Sequence, residues 1–137
     1  IQVLGLEDTE SLYVDGDPDM IHQVVYNLVE NAVKFVNPQG YIDVRVLNKG
    51  TKAVVKIRNS GQGISADEIP LIFDKFYKTD KSRSMDKNGM GLGLFIVRTI
   101  IKLHGGDITV SSVEGEYCEF EFWLPKQPEE QPPLLKE

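Results

Sequence analysis

Gly89-Met90-Gly91-Leu92-Gly93-Leu94 carries three alternating glycines out of a polar run and into an apolar one. Before it, Lys78 to Asn88 is mostly polar and without periodicity, which predicts a loop. From Gly91 to His104 the pattern predicts a helix, ended by Gly105-Gly106. A loop feeding a helix in this way offers unpaired backbone amides and the positive end of a helix dipole to an anion. Glycine inside a helix costs about 1 kcal/mol relative to alanine. Gly93 in the first turn therefore needs a reason, and close approach of the backbone to a ligand supplies one. The pattern G-x-x-x-x-G-K-[ST] is absent, so this is not a P-loop.

Upstream, Asn59-Ser60-Gly61-Gln62-Gly63-Ile64 follows directly on a strand. Glycines two apart permit a sharp turn or a close ligand, and a plain strand-to-helix turn fits them equally. Gly61, Gly63 and Ala66 also satisfy a dinucleotide fingerprint. That reading fails because it needs a βαβ unit and an acid at the end of the next strand, whereas a polar loop follows here.

Further upstream, Asp17-Pro18 predicts a helix start, with a carboxylate cap and proline at the first position. Ile21, Val24, Val25, Leu28, Ala32 and Phe35 recur at helical spacing, and Asn37-Pro38-Gln39-Gly40 stops them. Beside this apolar stripe stand Asn27, Asn31 and Lys34, at i, i+4 and i+7. Asparagine is a poor residue for a helix interior. A solvated polar face fits the stripe, and so does a ligand face: amide oxygens suit magnesium, and lysine suits phosphate.

The remaining pattern predicts short strands within residues 1–14, strands at 41–46 and 53–58 joined by a turn at Asn48-Lys49-Gly50, and a short helix opened by a capping box at Ser65 to Glu68. Pro70 shortens or bends that helix. Two more strands are expected at Asp107 to Val113 and Tyr117 to Leu124, before a Pro- and Glu-rich tail from Pro125 that cannot bury a core. This order does not alternate strand and helix. It predicts an α/β fold with a mixed, largely antiparallel sheet and helices on one face.

The length of 137 residues suits one domain, with 41% hydrophobic residues and a net charge of −6. That charge argues against nucleic acid as a partner. No apolar stretch approaches the roughly eighteen residues of a membrane span, and no signal-peptide pattern opens the chain. The single cysteine, Cys118, precludes an internal disulfide and suits a reducing compartment.

Taken together, the Asn27/Asn31/Lys34 stripe, the Asn59–Ile64 turn, Phe73-Asp74-Lys75-Phe76-Tyr77 and Gly89–Leu94 resemble, in order, the N, G1, F and G2 boxes of the GHKL superfamily, and within it the sensor histidine kinases. His104-Gly105-Gly106-Asp107-Ile108 and Phe120 to Pro125 resemble that family's closing strands. The resemblance spans about residues 1–126, leaving 127–137 as an expected disordered tail.

The resemblance implies a Bergerat two-layer α/β sandwich that holds ATP between its helices and a flexible lid at about residues 79–88. Asn31 would ligate Mg2+ with help from Asn27. Lys34, Tyr77 and Lys78 would lie at the phosphates, and Phe35 near the adenine and ribose. Asn59, Gly61, Gly63 and Ile64 would meet the base. Gly89, Gly91, Leu92, Gly93 and Leu94 would hold the phosphate chain.

Hydrolytic relatives carry glutamate at position 27, which activates water. Asn27 cannot act as a general base, which implies phosphoryl transfer with Asn27, Lys34 and Lys78 as the catalytic set. The acceptor would be a histidine on a separate helical hairpin of the same protein, passing phosphate to a response regulator. His22 is expected as an exposed helix residue and His104 as a helix-end residue, so the chain would not phosphorylate itself. The resemblance implies a cytoplasmic domain without membrane contact, in a parent protein anchored in the cell membrane. An ATP-sensing or degenerate module without transfer is the alternative.

The chain departs from the family in four places. Asn59 replaces an aspartate, and a neutral acceptor makes a weaker bond to the adenine amino group. Lys78 stands where arginine is common. Met90 replaces a small hydroxyl residue, and Gly115-Glu116-Tyr117-Cys118 lacks a second glycine and a Ser or Thr. Two readings fit Cys118: a thiol lining the nucleotide pocket, or a small core residue.

Overall fold

The structure, a computed structural model, describes residues 2–4, 13–74, 77 and 93–126. A sheet in the order β1-β2-β3-β5-β4 forms one layer, from β1 (Gln2–Leu4), β2 (Ile42–Lys49), β3 (Lys52–Ser60), β4 (Asp107–Val113) and β5 (Tyr117–Pro125). β1 runs parallel to β2, and every other pairing is antiparallel. Helices α1 (Pro18–Phe35) and α2 (Gly93–Leu103) form the second layer. The expected mixed, largely antiparallel sheet with helices on one face is what the chain forms.

α1 begins where its chemistry requires. The Asp17 carboxylate accepts from the amides of Asp19 at 2.9 Å and Met20 at 3.4 Å, and Pro18 takes a position whose amide would go unused. Val24, Leu28 and Ala32 bury one face of this helix, and Val97, Ile100 and Ile101 bury the matching face of α2. They meet a sheet face built by alternation from Ile57, Ile108, Phe120, Phe122 and Leu124. The other face of the sheet carries ion pairs across its strands, Arg58 to Glu119 at 2.9 Å and Lys56 to Glu121 at 3.8 Å. Lys52 lies over the Trp123 ring at 4.2 Å.

Several boundaries differ from expectation. Of the short strands expected within residues 1–14, the later part holds a single antiparallel bridge, Val14 with Lys126. Lys49 pairs with Lys52, so the β2–β3 turn falls on Gly50-Thr51, where Gly50 supplies φ 71. The short helix after Ser65 is a turn followed by a 3-10 segment, Ile69–Leu71, since Pro70 has no amide to continue an α-helix. The amides of Glu68 and Ile69 bond the backbone carbonyl of Ser65, at 3.0 and 3.2 Å. β5 includes Pro125, and the Lys126 amide bonds Thr51 O at 2.9 Å, so the paired chain runs past the residue where the tail was expected. Residues 127–137 lie outside the described residues.

Candidate functional site

The helix-facing side of the sheet carries a row of paired residues at one end. Register places Ile42 beside Asn59, Asn59 beside Cys118, and Cys118 beside Ser112. Paired residues share a face, so these four side chains line one row under the helices. Asn59 and Cys118 are buried and Ser112 is half-buried.

Above this row the chain leaves β3 through Gly61-Gln62-Gly63-Ile64. Here φ reaches 148 at Gly61 and 79 at Gly63. A Cβ at Gly61 would stand 2.6 Å from Phe35 O, and one at Gly63 would stand 2.6 Å from Ser112 Oγ. Conformation and space both demand glycine. The turn is also tied to the β4–β5 hairpin, with Gly61 N to Glu116 O at 3.1 Å and Gly115 N to Gln62 O at 2.7 Å. The Ile64 amide donates to Ser112 Oγ at 2.8 Å, and that hydroxyl donates to Tyr117 O at 2.9 Å.

At the β3 side of the turn, Ser60 Oγ accepts from the Tyr41 amide and donates to Asn37 Oδ1, both at 2.8 Å. Its carbonyl accepts from the Asn37 amide at 3.3 Å and from Asn59 Nδ2 at 3.0 Å. A carbonyl only accepts, so the Asn59 amide is oriented with its nitrogen toward Ser60. Asn59 Oδ1 takes no hydrogen bond from a described residue, and no described buried polar atom is left sealed without a partner. The oxygen keeps its capacity as an acceptor.

Asn27, Asn31 and Lys34 stand half-buried along one side of α1, next to the buried Val24, Leu28 and Ala32. Neither asparagine amide bonds a described residue. Lys34 Nζ lies 5.7 Å from the centre of the Phe35 ring. Among the described residues no three His, Cys, Asp or Glu side chains gather to hold a metal. Amide oxygens fit magnesium, which keeps waters and takes few protein ligands when a substrate supplies phosphate oxygens.

The remaining expected site residues divide. Gly93 begins α2 exposed, and a Cβ there would meet no described residue within 4 Å. Leu94 and Tyr77 pack against the core. Cys118 is 5% exposed and belongs to the core cluster while standing opposite Asn59. Burial, aided by Glu119, pushes its thiol up to about 12. Lys78, Gly89, Gly91 and Leu92 lie outside the described residues. Ser112, Ser60 and Asn37 were not among the expected site residues. A hydroxyl on an alternating strand reads as a solvated position, and only the fold reveals its partners.

A two-layer α/β domain with a glycine turn leaving its central strand and an Asn-Asn-Lys face on the covering helix has the GHKL α/β fold. The chain belongs to the family described as histidine kinase-, DNA gyrase B-, and HSP90-like ATPase, which it matches over residues 16–128. The circadian input-output histidine kinase CikA of Synechococcus elongatus is 38% identical over 112 residues, covering 82% of this chain and 15% of that protein. The mycobacterial sensor histidine kinase MprB superposes with a TM-score of 0.76 at 32% identity, covering 84% of this chain and 78% of that one. Full-length ShkA in complex with AMPPNP superposes at 0.70 with 28% identity, covering 80% of this chain and 22% of that one. The chain thus spans a small part of its full-length relatives. Among the described residues no helix is long and apolar enough to cross a membrane.

Proposed function

We propose that this domain binds Mg-ATP and donates the γ-phosphate to a histidine on a separate helical domain of the same protein, which then serves a response regulator. What carries the reading is Asn27, half-buried beside Asn31 and Lys34 on α1, where a hydrolase of this superfamily would hold glutamate. An amide has no lone pair basic enough to take a proton from water. The site therefore favours an incoming side chain as nucleophile. In the transfer, an imidazole nitrogen forms a bond to the γ-phosphorus, the bond to the β-phosphate oxygen breaks, and ADP departs with that electron pair. Positioning and charge neutralisation do most of the work.

Asn59 Oδ1 accepts from the amino group of adenine. Gly61 and Gly63 admit the base against the backbone, and Lys34 neutralises phosphate. Magnesium, held by Asn31 with Asn27 beside it, would supply positive charge at the phosphate oxygens. The glycine run through Gly93 would supply amides, and Lys78 a second cation. ShkA, solved with AMPPNP, supports a nucleoside triphosphate as ligand for this fold.

The neutral Asn59 favours one second reading, an ATP-sensing module that binds nucleotide without transfer. A magnesium-dependent ATP titration of wild type and Asn31→Ala tests the shared premise, with loss of affinity in the variant as the expected result. Transfer of labelled phosphate to a supplied phosphoacceptor hairpin separates the two readings. Binding without any transfer overturns the first.

A further inference from the structure

The turn at Gly61–Ile64 is bonded by a serine hydroxyl from another strand, Ser112 on β4. Ser112 lies outside the glycine motif and 48 residues beyond Ile64. It sits in the same row as Asn59 and Cys118, directly beneath Gly63, whose Cα leaves no space for another atom over Ser112 Oγ. Its hydroxyl is used twice, accepting from Ile64 N at 2.8 Å and donating to Tyr117 O at 2.9 Å.

We propose that Ser112 is a positioning residue for the nucleotide base: its hydroxyl relay from Ile64 to Tyr117 sets the height of the Gly61–Ile64 turn over the Asn59–Cys118–Ser112 row. The inference rests on the reading that this turn meets the base. Each end of the relay is a backbone group fixed by its own element. Tyr117 O belongs to the first residue of β5, and Ile64 N closes the turn. Alanine at 112 would leave both groups without this partner, and the turn would move to find water or another acceptor. The displacement would be felt where the base lies against the backbone, and not at the α1 stripe on the opposite layer.

The test compares wild type, Ser112→Ala and Ser112→Thr for MgADP and MgATP affinity, thermal stability and amide exchange at Ile64. Ser112→Ala should bind both nucleotides more weakly by the same factor, roughly five- to tenfold for one lost hydrogen bond, while remaining folded at the assay temperature. Threonine, which keeps the hydroxyl, should restore affinity and slow Ile64 exchange. Unchanged affinity in Ser112→Ala, an equal loss in Ser112→Thr, or a loss confined to ATP would each overturn the role. If wild type bound no nucleotide, the ATP reading would fail and the base-positioning role with it. Ile64 exchange would still report separately whether the hydroxyl holds the turn.

Discussion

The imidazole Nε2 of His104 accepts a hydrogen bond from the backbone amide of Asp17 at 3.1 Å, across 87 residues of sequence. Since Nε2 accepts, Nδ1 carries the proton and donates to Ile100 O at 2.8 Å. One neutral side chain thus joins the end of α2 to the start of α1. Gly16 leaves room for it, because a Cβ there would stand 2.6 Å from the His104 ring. The contact ties the helix that carries Asn27, Asn31 and Lys34 to its neighbour in the same layer.

Replacing His104 with alanine should destabilise the domain by about 1–3 kcal/mol, from one orphaned amide and lost packing. Urea unfolding measures this. Gly16→Ala would strike the Ile21 side chain at 2.7 Å as well as the His104 ring at 2.6 Å, so combining it with His104→Ala should recover part of its cost. Simple additivity in that double variant would disprove the clasp.

Asn59→Asp restores the charged acceptor common in the family, yet the geometry opposes it. The atom now donating to Ser60 O at 3.0 Å would become an oxygen facing a carbonyl. Without nucleotide the variant should lose about 1–3 kcal/mol of stability. Nucleotide should return part of that, since a charged acceptor binds an amino group more strongly. Melting curves with and without ADP test both halves.

Gly63→Ala should fail for two reasons together, the left-handed φ of 79 and the contact with Ser112 Oγ. A cost of about 1–3 kcal/mol is expected from the backbone conformation alone. Gly50→Ala shares the positive φ but has open space around it, so it should cost less. Equal destabilisation would show that the steric contact contributes nothing.

Cys118, with its thiol pushed up to about 12, should stay protonated through the neutral range. The thiolate is the reactive form. Iodoacetamide at pH 8 should leave the folded domain unmodified and label it promptly in urea. Fast labelling of folded protein would place the thiol at the surface of the nucleotide cleft instead of in the core.

Most of the architecture was legible in the chain because it rests on local chemistry. Asp17-Pro18 announces a helix, the 3.6-residue recurrence from Ile21 to Phe35 extends it, and alternation from Tyr117 to Leu124 marks a half-buried strand. Where boundaries slipped, a neighbour decided them. Lys49 joined β2 because Lys52 lay opposite, and Pro125 joined β5 because Lys52 paired with it as well.

The sequence by itself determined the family, since the motifs holding Asn27, Asn31, Lys34, Asn59, Gly61 and Gly63 are recognisable by type and spacing. Only the tertiary structure decided how that site is held. Ser112 bonded to Ile64, Ser60 bonded to Asn37 and His104 joined to Asp17 all bond across elements distant in the chain. A hydroxyl or imidazole carries no local signal of a partner 48 or 87 residues away. Periodicity reports which face is buried, but a hydrogen bond depends on two atoms meeting, and that is settled when the sheet pairs and the helices dock.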